Sequence, residues 1–168
     1  MSFSVSFHLT VPSDALPPAS VNLEPGDEYE TLVMEACSAL SNVGGGRFHI
    51  GGFGDEDWPL DVAYDLSSFM EQLPSLLASV REHREAEVDL YSQGIERTLI
   101  FHPSGDLVMI HCDSRTNWIP SPERESITQS ELVAMLSELA ENFAGGLKAI
   151  NSDLSEVVPF ERWLEGEV

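Results

Sequence analysis

Carboxylates crowd into residues 51–66, where Asp55, Glu56, Asp57, Asp61 and Asp65 surround a Trp58-Pro59 pair and follow Gly51, Gly52 and Gly54. Such a stretch could hold calcium, supply the acid pair of a glycoside hydrolase, or face a basic partner. An EF-hand-type loop needs alternating ligands, a central glycine and a terminal glutamate. Here three acids are consecutive and Trp58-Pro59 follows them, so the calcium order is absent. Nothing among the 29 Asp and Glu singles out two as a hydrolytic pair. His111-Cys112-Asp113 is the other place where ligand and base types meet. Neighbouring strand residues point to opposite faces, which sets His111 and Cys112 apart as ligands of one metal. The glycines Gly44-Gly45-Gly46 lack the lysine of a phosphate loop, and a strand follows them. No Gly-x-Ser-x-Gly, Cys-x-x-Cys or His-Glu-x-x-His spacing occurs. The reading is therefore not an enzyme, with no cofactor and no metal.

Charge points elsewhere. Against the 29 acids stand 8 Lys and Arg, with Lys148 the one lysine, for a net charge of -21. That balance repels nucleic-acid phosphates and anionic membranes and speeds encounter with basic proteins. Direct nucleic-acid binding is excluded for want of a basic face. The inverse remains: carboxylates that imitate phosphates and occupy another protein's nucleic-acid site. The candidate strips are Asp55–Asp65 and Glu85–Glu96, with Asp55, Glu56, Asp57, Trp58, Asp61, Glu87, Asp89 and Trp118 as predicted partner contacts. Tyr64 and Tyr91 are further anchors, because Trp and Tyr often dominate interface energy. The bland alternative is an acidic solvated face, with Trp58 packed in the core. A homodimer is left open.

The elements that must position these residues follow from periodicity. Phe3, Val5, Phe7, Leu9 and Val11 alternate with polar residues, a half-buried strand with His8 on its wet face. Residues 12–25 hold four prolines and read as a loop, with a short strand around Ser20–Leu23. Asp27 and Glu30 resemble a capping box opening a helix over 27–42. Arg47–Phe53 reads as a strand. Leu66, Phe69, Met70, Leu73, Leu76, Leu77 and Val80 predict a helix over 66–83, capped by Asp65 or Ser67 and kinked or restarted at Pro74. Residues 86–112 predict a three-strand meander. A Ser104-Gly105 loop in it would pair residues whose numbers sum to 209. Asp113–Ile127 reads as a long polar loop, and Thr128-Gln129-Ser130-Glu131 as a capping box for a helix over 129–149, weakened at Gly145-Gly146. A short docking helix is expected after Pro159.

The 168 residues are read as a single globular domain, 1–168. Cys37 and Cys112 sit in apolar patterns and are expected as buried free thiols. The first residues lack the basic region and apolar core of a signal peptide, and no apolar run reaches membrane-spanning length, so a bacterial-type cytoplasm is expected. The fold class is α+β: a mostly antiparallel sheet of about five strands with three main helices packed largely on one face.

In general style, three lines resemble small acidic immunity proteins of bacterial polymorphic toxin systems: Phe48-His49-Ile50-Gly51-Gly52-Phe53-Gly54, Trp58-Pro59-Leu60-Asp61-Val62, and Leu99-Ile100-Phe101-His102-Pro103-Ser104-Gly105-Asp106. The likeness covers residues 47–150 and carries over no site residue. It implies a cytoplasmic, non-enzymatic inhibitor that plugs the active site of a basic protein toxin, often a nuclease. Two other classes stay in view: an adaptor subunit of a bacterial assembly, and an enzyme or binder for a small cationic ligand. A pocket of convergent acids with shifted pKa values would favour the small cation. Exposed aromatics on an acidic surface would favour the inhibitor, and a large apolar patch the adaptor.

Overall fold

The computed structural model describes residues 3–10 and 28–168. The expectations for 12–25 and for Asp27 as a cap lie outside the described residues. The fold is α+β with two antiparallel sheets, in place of the single sheet expected. Strands β1 (Ser4–Leu9) and β2 (Gly46–Gly51) form one. Strands β3 (Ala86–Leu90), β4 (Arg97–Ser104), β5 (Leu107–Ser114) and β6 (Arg124–Thr128) form the other, in sequence order. The main helices are α1 (Tyr29–Val43), α2 (Ser67–Arg81) and α3 (Gln129–Ala149), with a short α4 (Phe160–Leu164).

One core joins both sheets to the helices. Along β1 and the residue before it, Phe3, Val5 and Phe7 are buried while Ser4, Ser6 and His8 are not, the alternation a one-faced strand requires. Aromatic contacts mark the seams. Phe3 meets Phe101 of β4 at 6.1 Å between ring centres, Phe7 meets Phe143 of α3 at 6.3 Å, and Phe48 meets Phe69 of α2 at 5.8 Å. Leu99, Phe101, Val108, Ile110 and Cys112 line the buried face of the second sheet, whereas Ile100 and His102 are half-buried and Met109 is exposed. The helices therefore cover one face of that sheet. The C-terminal helix docks through Phe160 and Trp163 against Phe143 and Tyr29.

Three local features differ from the sequence expectation, each for a physical reason. Helix α2 runs through Pro74 without restarting. Proline leaves the carbonyl four residues back without its helical donor. That carbonyl, on Met70, accepts a hydrogen bond from the Tyr29 hydroxyl at 2.6 Å. Helix α3 spans the expected 129–149 through Gly145-Gly146, and Gly146 is closely packed: a Cβ there would sit 3.3 Å from both the Leu40 and Phe7 side chains. The β4–β5 hairpin turns at Gly105-Asp106, so Ser104 faces Leu107 and paired numbers sum to 211, not 209. A slip of this parity changes every partner and leaves every residue on its expected face. Finally, residues 124–128 form β6 in place of loop. Its inward residues are Glu125 and Ile127, and a buried carboxylate hides the apolar alternation.

Candidate functional site: two aromatic and charged clusters

The acidic stretch divides in two at Pro59. Its first half folds back on β2. Trp58 N–H donates to the Ile50 carbonyl at 2.9 Å, and the indole N–H donates to the Gly52 carbonyl at 3.3 Å. Trp58 is 2% exposed, so it belongs to the core and is unavailable as a surface anchor. Trp118 is half-buried and packs edge-on to it at 5.8 Å. Between them lies Arg97, its guanidinium carbon 4.4 Å from the Trp58 ring centre and 3.7 Å from that of Trp118. Cation–π attraction of this kind strengthens when the cation is desolvated. Arg97 is 4% exposed, and burial lowers its pKa while Cys112 and Asp55 favour its charge. Nε and Nη1 of Arg97 and both oxygens of buried Glu125 have no hydrogen-bond partner among the described residues. Glu125 lies under Gly52, where a Cβ would come within 2.6 Å of its Oε2. This cluster contains its own cation and its own acid.

Several predicted contacts are likewise occupied from within. Asp57 accepts from Arg47 at 2.9 Å and sits 3.1 Å from His49 Nδ1, and hydrogen bonds to His49 and then Arg47 hold its pKa below the usual value. Asp89 accepts from Arg115 at 2.7 Å and from the Thr98 hydroxyl at 3.3 Å. Asp55 pairs its backbone with Gly52 and accepts the Asp57 N–H at 3.2 Å. Glu56 and Glu87 are exposed. His111 Nε2 is 3.9 Å from Glu123, on the face of β5 opposite buried Cys112. Burial pushes the Cys112 thiol up to about 12 and Cys37 higher still. Both are free, and neither is poised as a nucleophile.

The second half of the stretch is different. Residues Val62–Leu66 form a π-helical turn, in which the Leu66 N–H reaches five residues back to the Asp61 carbonyl at 3.2 Å. Asp61 caps the turn: its Oδ1 accepts from Tyr64 N–H at 2.7 Å and Asp65 N–H at 3.0 Å. Asp65 Oδ2 reciprocates by accepting the Asp61 N–H at 2.8 Å. The arrangement works like a capping box, lengthened by one residue to suit the wider turn. The cap is thus Asp61, in place of the expected Asp65 or Ser67, and the Asp-x-x-x-Asp spacing is its signal in the sequence.

Asp65 is 3% exposed, and its Oδ1 has no hydrogen-bond partner of good geometry among the described residues. Burial is the main cause of its raised pKa, with the neighbouring Asp61 charge adding to it and the Ser92 hydroxyl opposing. Asp61, Tyr64 and Asp65 form one wall of an open cavity of about 550 Å³, and the turn Tyr91–Ile95 forms the other. A second cavity, about 390 Å³, adjoins it. Tyr64, Tyr91 and Ser92 line both, and Met34 and Glu71 belong to the second. The rim is exposed and apolar: Tyr64 is 71% exposed, Met34 57% and Tyr91 56%. The Tyr91 hydroxyl donates to Glu71 at 3.0 Å, and Gln72 ties α2 to β3 through the Asp89 backbone, which fixes this wall. No Lys, Arg or His lines either cavity. Residues 11–27 contain none of these types either.

Of the predicted contacts, the structure thus gathers only Asp61 at this pocket, together with the anchors Tyr64 and Tyr91. Asp65 is the site residue the sequence reading missed. Among the described residues no group of three His, Cys, Asp or Glu could hold a metal ion, and no helix is long and apolar enough to cross a membrane. Compared with protein-family models, with curated proteins and with solved structures, the chain matches none of them.

Proposed function

We propose that this protein is a non-enzymatic acidic binding protein of the immunity type, which acts in the cytoplasm and neutralises a basic protein toxin by covering its active site. One observation carries the reading. An acid-walled pocket, free of basic residues, opens between two exposed tyrosines beside an exposed methionine. Rigid amphipathic rings at the centre with charge around them is the usual anatomy of a protein-binding hot spot. The overall charge supports it, since among the described residues few carboxylates pair with an arginine or lysine: Arg47, Arg84 and Arg115 pair with Asp57, Glu82 and Asp89.

Convergent acids, one with a raised pKa, also favour a second reading, a binder for a small cationic ligand. The breadth of the exposed rim favours a macromolecule. The deciding experiment identifies the protein encoded beside this chain, co-expresses the two and follows growth. Rescue by the wild type and loss of rescue by Tyr64→Ala/Tyr91→Ala supports the inhibitor. No rescue by well-expressed, folded wild type contradicts it.

A further inference from the structure

We infer that the cavity between the capped π-turn and the Tyr91–Ile95 turn receives an arginine side chain of the protein partner; this rests on the binding-protein reading above. Three observations converge on a guanidinium. First, Asp65 Oδ1 is a buried carboxylate oxygen to which the described residues make no hydrogen bond of good geometry, although the Ser92 hydroxyl lies close enough to favour its charge, while Oδ2 is committed to the Asp61 N–H. A buried acceptor left without a donor is unfavourable, so a ligand that brings a donor gains what the fold forgoes. Second, Asp61 adds a carboxylate to the same wall, and no basic residue of the cavity competes for either acid. Third, Tyr64 and Tyr91 border the cavity with exposed rings. Arginine combines a planar, delocalised cation with five donors and stacks on aromatic faces, whereas lysine is a strongly hydrated point charge. The molecule already seats a guanidinium between aromatic rings at Trp58 and Trp118. Here it offers rings and acids without the cation.

The Asp61–Asp65 pair also explains why the wall holds its shape before a ligand arrives. Each carboxylate accepts a backbone N–H of the other's residue, so both acids are fixed by the turn they cap. Preorganised acceptors lose little freedom on binding.

The test titrates the full chain at low salt, by NMR, with acetyl-Gly-Arg-Gly-amide, with its citrulline and lysine counterparts, and with methylguanidinium. The arginine peptide is expected to bind best, and citrulline, which keeps the shape without the charge, at least about tenfold more weakly. Asp65→Asn, which retains an acceptor for the Asp61 N–H, should weaken the arginine peptide by about tenfold or more. Tyr91→Ala removes a wall without touching the capped turn and should weaken it too, which keeps the test decisive if Asp65→Asn does not fold. Equal binding of arginine and citrulline peptides, no binding, or wild-type affinity in Tyr91→Ala overturns the proposal. Lysine binding as tightly as arginine overturns the guanidinium assignment, and methylguanidinium binding as tightly as the peptide replaces the protein partner with a small cation. Growth rescue without peptide binding removes the arginine pocket and leaves the inhibitor. Peptide binding without rescue does the reverse.

Discussion

Two clusters built from the same chemistry lie on either side of Pro59. Around Trp58 and Trp118 the rings enclose Arg97, which is 4% exposed, and Glu125 is buried nearby. Around Tyr64 and Tyr91 the rings are exposed, the acids Asp61 and Asp65 line a cavity, and no basic residue shares its walls. Both clusters hold buried polar atoms without a hydrogen-bond partner among the described residues, but in the first the cation is the chain's own and its rings are covered. The second leaves Asp65 Oδ1 without a well-formed hydrogen bond and two aromatic faces wet, with no cation of its own, which is unfavourable unless something binds there. Aromatic and acidic composition alone does not separate scaffold from site. What separates them is whether the chain supplies the countercharge.

The sharpest way to break this comparison is truncation of one ring from each cluster. Trp58→Ala should lose about 3–5 kcal/mol of stability in urea unfolding, as for other buried tryptophans. Tyr64→Ala should stay within about 0.5 kcal/mol, as exposed positions do. Similar losses for both would erase the distinction.

A second experiment tests closure of the tryptophan cluster through Cys112, whose charge is coupled to Arg97. With its thiol pushed up to about 12, its reaction with a thiol reagent at pH 8 should be about a thousandfold slower than in urea. Rapid labelling of the native protein would mean that the cluster opens.

Third, Asp65 gives the open cluster a signature in stability. Its folded-state pKa is raised, so the ionised form disfavours the fold at pH values above that pKa. The penalty fades as pH falls and is gone below the unfolded value, where both states are protonated. Asp65→Asn should therefore melt higher than wild type at neutral pH, with the gap closing towards acid. A lower melting temperature at neutral pH would show that the fold needs the carboxylate, and so that the residue is structural. The smallest effect belongs to Asp57. Its depressed pKa means it stabilises above the unfolded carboxylate value and that this is lost as pH falls through the lower folded value. Since the pair with Arg47 is exposed, Asp57→Asn should produce only a slight loss of melting temperature, abolished by high salt.

Much of the scaffold was legible because single-residue patterns decide it. The helix begun by Thr128 follows from its capping box with Glu131, and the two faces of β4 and β5 follow from period-two alternation. Less legible was anything set by a tertiary partner. Strand β6 was hidden because a carboxylate, Glu125, occupies an inward position where the period-two pattern calls for an apolar residue. Pro74 read as a break because its orphaned carbonyl is satisfied by Tyr29, far away in sequence. At the candidate site, density of acids pointed to Asp55, Asp57 and Trp58, and the fold occupies or buries them. Asp65 read as an ordinary cap because the π-turn that turns it inward leaves no pattern beyond one extra residue in the cap spacing.

The most direct test of the account maps backbone amide shifts while the arginine peptide is added to the wild-type chain. Saturable changes are expected at 61–68 and 91–96, with the Arg97 Nε–H and the Trp58 indole N–H unmoved. Changes centred on Arg97, Trp58 and Trp118, or on the Asp55–Asp57 turn, would contradict it.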